Sequence, residues 1–411
     1  MLETVNTIVI VMSAFGLIRI FISYWTANVY DLRAINRTRG TPPPTPGITV
    51  VVPAYNEEVA IATTLASVVA SDYPNMKIIV VDDGSSDRTS EVVTAFMQDH
   101  PDAPVELVRQ ANGGKSVAIN RALFKHVQTE LMMVLDADSL LATDAVRNMV
   151  AWFADPRTLA MAMQVKMLRL RSALGLCQRF EFLSAYRGKC AEHVLRTLYI
   201  IGGIGSTFRV AELRAIGGYD TDTPTEDIDL TMKLLSVYGN TKHTIGYAHD
   251  AVAYTQPVTK FTSLVKQRFR WKYGRFVAFM KYRHLFFSRN AKHARFLTFG
   301  QLPMAVFQEL FMLIEPFVYL YLVGVVLVFG DWLLLFAMVG YVVAVIGLSV
   351  TTSGEPPAEQ LRLMLTAPLN FALAFTLTIV EYVSLIKAMV KAKDIINYQN
   401  NHASWDHVER L

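Results

Sequence analysis

The chain opens with an apolar run, Val5 to Trp25, interrupted by Arg19 and a few small polar residues. About twenty such residues suffice to cross a bilayer as a helix. From residue 48 the pattern changes to short runs rich in Val, Ile and Leu: Ile48–Pro53, Lys77–Val81, Val105–Val108 and Leu131–Leu135. Between them lie Glu57–Ala70, Thr89–Asp99 and Lys115–His126, which carry helical patterns. Strands alternating with helices predict an α/β domain with a mostly parallel sheet and helices on both faces. Three long apolar stretches follow: Leu302–Phe329, Trp332–Val350 and Leu363–Met389, separated by Gly330-Asp331 and by Thr351–Gln360.

Composition adds a membrane to this picture. Of 411 residues, 52% are hydrophobic and only 18% charged, which is too apolar for an ordinary cytosolic enzyme. The excess sits at the two ends, so a soluble middle is held between membrane segments. A signal peptide needs a basic start, and only Glu3 is charged before the first run, so an uncleaved anchor is expected. Arg33, Arg37 and Arg39 follow it and place its C-terminal end in the cytosol. Arg19 lies toward that end, where it reaches the interface. Thr41–Gly47 (TPPPTPG) is a stiff linker that ends any helix. One crossing plus three puts the C-terminus outside, although Lys387, Lys391 and Lys393 oppose that orientation and Pro368 offers a break in the last stretch. The expected organisation is an anchor over 1–27, a linker over 28–47, an α/β domain over 48–259, basic interfacial helices over 260–296, membrane helices over 297–390 and a tail over 391–411. Cys177 and Cys190 form no disulfide framework and no zinc pattern, and read as small core residues.

In parallel sheets, ligands bind where strands end. A dinucleotide fingerprint is absent there: Pro53-Ala54-Tyr55-Asn56-Glu57-Glu58 follows the first strand. Acidic residues end strand after strand instead, with Asp82-Asp83-Gly84-Ser85 after the second and Asp136-Ala137-Asp138-Ser139 after the fourth. One such pair is an ordinary turn or helix cap; two strands with the same pattern point to a site. A DxD on a short loop offers oxygen ligands to Mg²⁺ or Mn²⁺, which in turn binds phosphate. Lys115 in Asn112-Gly113-Gly114-Lys115-Ser116 adds a cation beside a glycine turn, without the first glycine of a Walker A loop. Thr225-Glu226-Asp227 opens a helical pattern after a glycine-rich turn. Thr225 suits a helix cap, and Asp227 is placed to act as a base. From Lys260 to Arg295 there are eleven lysines and arginines, interleaved Phe and Tyr, and no acid. Because an apolar stretch follows at once, this reads as an amphipathic surface on anionic lipid, and no nucleic-acid partner is expected. Leu170–Cys190 reads as a second interfacial helix.

PAYNEE, DDGSSD, GGKS, DADS, TEDIDL and QRFRW, in that order from about Ile48 to Gly274, resemble the processive family-2 glycosyltransferases, the group of cellulose, hyaluronan, chitin-oligosaccharide and poly-N-acetylglucosamine synthases. The last of these look nearest, from TEDIDL, KQRFRWKYG and the tail Trp405…Arg410. The resemblance implies a GT-A domain with interfacial and transmembrane helices at the inner cell membrane, its catalytic face cytosolic. It implies polymerisation of a UDP-sugar, most like UDP-N-acetylglucosamine, into a β-linked exopolysaccharide that is also exported, with partner export subunits left open. A non-processive enzyme acting on a lipid carrier is the alternative. By resemblance, Pro53, Tyr55, Glu57 and Asp83 belong to the nucleotide side and Lys115 to the diphosphate. Asp136 lies near the donor, and Asp138 binds the Mg²⁺ or Mn²⁺ with Asp136 beside it. Asp227 is the base, with Glu226 next to it. Arg268 and Arg270 grip the diphosphate, while Gln267 and Trp271 face the acceptor, as do Ser206 and Thr207 in the Gly202–Arg209 loop. Trp271 equally suits an interfacial anchor.

Overall fold

The computed structural model describes residues 16, 18–34, 45–168, 172–330 and 332–395. The first half of the expected anchor, Arg37 and Arg39, most of the proline-rich linker, and the tail beyond Ile395 lie outside the described residues. A helix over residues 18–34 (α1) precedes the domain. Its C-terminal half is docked rather than free: Tyr30 and Ala34 are buried, the Tyr30 hydroxyl donates to the Tyr247 carbonyl at 2.7 Å, and Arg187 donates to Asp31 at 2.8 Å. The expected linker at 28–47 therefore begins as helix.

The domain is built from β1 (Ile48–Ala54), α2 (Ile61–Val69), β2 (Met76–Asp82), α3 (Thr89–Asp99), β3 (Val105–Arg109), α4 (Lys115–Arg121), β4 (Leu131–Val134), β5 (Ser139–Leu141), α5 (Ala145–Ala151) and β6 (Thr158–Met167). There follow α6 (Ala173–Leu195), β7 (Ser206–Arg209), α7 (Val210–Ala215), α8 (Glu226–Tyr238), β8 (Thr244–Thr255) and α9 (Phe261–Lys281). The eight strands form one sheet in the order β3-β2-β1-β4-β7-β6-β8-β5. β3, β2, β1 and β4 run parallel, as the alternation predicts. Beyond β4 the sheet is mixed: β7 is antiparallel to both β4 and β6, β6 and β8 are parallel, and β5 is antiparallel to β8. The expectation of a mostly parallel sheet is corrected to a mixed one.

The continuous apolar strands follow from burial on two faces. Along β1, Ile48, Val50 and Val52 pack into one core while Val51 packs into the other, the period-two alternation of a strand. Each fully buried Val or Ile contributes about 1.5–3 kcal/mol of transfer free energy. Cys177 and Cys190 are buried in the domain, as expected. The stretch expected as a helix at 170–190 contains α6, capped by Ser172, whose side chain accepts from the Gly175 N–H at 3.0 Å.

The C-terminal helices are α10 (Leu302–Phe311), α11 (Glu315–Phe329), α12 (Trp332–Thr351) and α13 (Pro357–Ile395). The stretch expected as one span over Leu302–Phe329 is broken: Phe296–Phe311 and Glu315–Phe329 meet at 54°. Pro368 does not break α13, which runs through it. Among the described residues, Leu373–Lys391 is the one helical stretch long and apolar enough by itself to cross a membrane, and Met338–Thr351 is a shorter apolar stretch. The α12–α13 connection is tied to the domain: Glu355 pairs with Lys166 at 2.9 Å and with Arg179 at 3.1 Å.

Candidate functional site

The loops after β1 and β2 are zipped into one platform by backbone donors. The Asn56 N–H donates to Ser85 Oγ at 3.0 Å, Glu57 N–H to Thr89 Oγ1 at 2.8 Å, and Glu58 N–H to Asp87 Oδ2 at 3.0 Å. This fixes Tyr55 and Glu57, both half-buried, just beyond the end of β1. Pro53 lies inside β1 opposite Val81 and is buried. Asp83 is 0% exposed and accepts from Gln110 Nε2 at 2.6 Å, Gly113 N–H at 2.9 Å and Gly114 N–H at 2.8 Å. Its charge fastens the glycine turn ahead of α4, a backbone-donor role that the DDGS motif alone does not reveal. Gly84, at φ +75°, lets the two loops approach: a Cβ there would stand 2.7 Å from the Asn112 nitrogen.

That turn aims Lys115, the first residue of α4, across the cleft. Its ammonium lies 2.7 Å from Asp136 Oδ1 and 2.6 Å from Glu226 Oε1. One side chain thus joins the end of β4 to the start of α8. Burial alone would lower the Lys115 pKa; Asp136 and Glu226 reverse the direction and hold it above its ordinary value. Gly203 lies over the triad, and a Cβ there would meet Lys115 Nζ at 3.1 Å. Asp138, half-buried, accepts from Ser139 Oγ at 3.2 Å.

α8 is set by the glycine-rich turn before it. Asn120 accepts from the Tyr219 N–H at 2.9 Å and donates to its carbonyl at 2.8 Å. Lys233 donates to the Gly218 carbonyl at 3.0 Å and pairs with Asp220 at 2.5 Å. Thr225 occupies the cap position, but its side chain makes no cap bond; its buried Oγ1 is without a partner and faces Gly274 of α9. Asp227 follows in the first turn, its Oδ1 accepting from the Ile228 N–H at 2.8 Å. Burial first, and the Glu226 charge second, raise its pKa from 3.8 to about 6, against the opposing pull of Lys115, Ile228 N–H and Arg270. A carboxyl with that value is matched to proton transfer near neutral pH.

The QRFRW residues of α9 divide. Arg270 is exposed, and its charge is felt at Asp227. Gln267 and Arg268 are buried. Arg268 donates twice to Glu181 of α6, at 2.8 and 2.6 Å, and lies 3.4 Å from Glu381 of α13. Its guanidinium is thus paired with carboxylates from two other helices. It also lies 4.3 Å from the Trp271 ring centroid, so it holds that ring by a cation–π contact. Ser206 and Thr207 are buried at the start of β7, paired opposite Val134 and Met133. They are sheet residues, so only 202–205 of the expected Gly202–Arg209 loop precede the strand. Gly203 entered the sequence reading only as part of the Gly202–Arg209 loop, and two residues that matter here escaped it: Gly274 and Glu381. The last had a signal, as a lone acid in an apolar stretch.

Two carboxylates on a tight turn fit a hard divalent cation. Among the described residues no group of three or more His, Cys, Asp or Glu gathers to hold one, so Asp136 and Asp138 would make up only part of a coordination shell.

The DxD turn, the lysine bridge and the raised Asp227 carboxyl all sit on a glycosyltransferase fold of the GT-A kind. Residues 44–274 match the model of the family described as Glycosyltransferase like family 2, and the chain belongs to that family. It is 32% identical over 230 residues to the poly-beta-1,6-N-acetyl-D-glucosamine synthase of Staphylococcus epidermidis, covering 56% of this chain and 54% of that protein. The Staphylococcus aureus (strain COL) protein of the same name shows the same identity and coverage. The chain spans about half the length of these curated relatives. In fold it is similar to the mannosyltransferase PcManGT from Pyrobaculum calidifontis, solved in complex with GDP-Man and Mn²⁺ (TM-score 0.58, 24% identity, 91% of this chain and 96% of that one).

Proposed function

We propose that the chain transfers a sugar from a UDP-sugar, most like UDP-N-acetylglucosamine, to the end of a growing β-linked polysaccharide at the cytosolic face of a membrane. The observation that carries this reading is the lysine bridge. A single ammonium within 2.7 Å of Asp136 and 2.6 Å of Glu226 brings the leaving-group side and the base side of the cleft to one place. The names of the relatives favour N-acetylglucosamine.

The reaction is a single displacement with inversion at the anomeric carbon. Asp227 accepts the proton of the attacking acceptor hydroxyl, a role typically worth about 10²–10⁴-fold. Lys115 and Arg270 take up the charge growing on the departing diphosphate. A divalent cation held by Asp138 and Asp136 would add Lewis-acid stabilisation of the same leaving group. Trp271, its ring steadied by Arg268, offers a flat face to the acceptor sugar. Membrane attachment is supported by the apolar stretch Leu373–Lys391 and by exposed Leu327, Val328, Phe329, Leu333 and Phe336 on α11 and α12, a patch that suits lipid. The ties from Glu355 to Lys166 and Arg179 support placing the α12–α13 connection on the catalytic side.

Product analysis tests the reading. With an α-linked donor, anomeric NMR of the product is expected to show β linkage, and mass analysis long chains without short intermediates. An α-linked product overturns the single displacement, and addition of one sugar to lipid overturns polymer growth.

A further inference from the structure

A lysine whose role is to meet a diphosphate need not be locked between two carboxylates before the diphosphate arrives. Yet Lys115 Nζ sits at ion-pair distance from both Asp136 and Glu226. The backbone beneath it is fixed, since the Gly114 N–H is tied to Asp83 at 2.8 Å, so exchange of partners falls to the four-carbon side chain. Above it, a Cβ at Gly203 would stand 3.1 Å from the ammonium, so the glycine lets the backbone pass close over the bridge. Among the described residues no third carboxylate, His or Cys completes a cation shell. A divalent ion approaching Asp136 by itself therefore meets an ammonium on its ligand and an incomplete set of donors, and repulsion between like charges at this separation is large in a cleft.

We infer that Lys115 is an internal counter-ion that bars a free divalent cation from Asp136 until a nucleotide diphosphate draws the ammonium away, so that cation and nucleotide load together. The diphosphate does two things at once. Its oxygens give Lys115 a new partner, and they supply the ligands that the protein lacks. Glu226 keeps the ammonium paired during the exchange, which avoids stranding a buried charge. The inference rests on the cation and diphosphate reading given under Proposed function.

The test is Mn²⁺ binding, read from the electron paramagnetic resonance signal of the free ion, on the full chain in nanodiscs with and without UDP. Without UDP, wild type is expected to bind weakly and Lys115→Met on the order of tenfold or more tightly, while Lys115→Arg stays weak because it keeps the charge. With UDP, wild type is expected to tighten and Lys115→Met to lose nucleotide affinity. A lysine that merely supports the fold would weaken both when removed. Lys115→Gln, which keeps a polar group at the bridge, gives the same reading should the methionine variant lose its thermal transition. Wild-type uptake with UDP but no gain in the neutral variants overturns this inference alone. No uptake by wild type even with UDP overturns the cation reading and the inference with it.

Discussion

Replacing Asp227 with asparagine removes a charge that the fold carries at a cost. Burial and Glu226 raise the Asp227 carboxyl from 3.8 to about 6, which is worth roughly 3 kcal/mol. Because Asp227 keeps some exposure, solvent screening discounts this to about 1–3 kcal/mol. The native state binds this proton more tightly than the unfolded chain does. The penalty is therefore full above about pH 6, shrinks to about half by pH 5 and disappears below about pH 4. The asparagine variant is expected to lose about 10²–10⁴-fold in turnover and yet to melt roughly 3–10 °C higher at pH 8, with a smaller gain at pH 5. UDP release and thermal melts on the same nanodisc preparation read both. Near-normal turnover refutes the base assignment. A melting point that does not rise at pH 8, or that rises equally at pH 5, refutes the burial argument.

The same carboxyl sets the pH dependence: kcat/KM is expected to fall as pH drops through about 6, and Glu226→Gln to move that limb lower, in a pH–rate profile. Asp138→Ala is expected to weaken metal-dependent donor binding at least tenfold on the order of the loss of one charged ligand, measured by UDP titration with and without Mn²⁺; unchanged affinity counts against its role. Gly274→Ala would place a Cβ 2.1 Å from Thr225 Oγ1, pushing the start of α8 aside. Overpacking of this kind costs about 1–3 kcal/mol, so turnover and melting point are both expected to fall, with donor affinity less affected. Trp271→Ala is expected to lose long products while retaining UDP binding, read by gel analysis of chain length; full-length polymer would make Trp271 a membrane anchor only.

Much of this was legible in the sequence, for reasons that differ by element. β1 to β4 are visible because strands buried on both faces must be apolar throughout, and Ile48–Ala54 and Met76–Asp82 show little else. β5 to β8 were missed. β8 carries Tyr247, His249, Asp250 and Tyr254 in a strand partly lined by neighbours, and β5 is three residues long, so neither stands out as an apolar run. The carboxylates of the site were legible because they end strands. Which of them face the cleft was not: Asp82 and Asp83 read alike, yet Asp83 is turned inward by three donors from a loop almost thirty residues away. Arg268 and Arg270 likewise sit two apart in one motif. On a helix that spacing points them to different faces, and only tertiary packing decides that Arg268 meets Glu181 and Glu381 while Arg270 faces the site. The bend after α10 was hidden because Met312, Leu313 and Ile314 continue the apolar composition through it.

The most direct measurement is UDP release by the purified full chain offered individual UDP-sugars, with and without Mn²⁺ or Mg²⁺. Cation-dependent release from UDP-N-acetylglucosamine, abolished by Asp227→Asn although UDP still binds, is the predicted result. No release from any nucleotide sugar under conditions where the chain is folded and binds UDP would contradict the account.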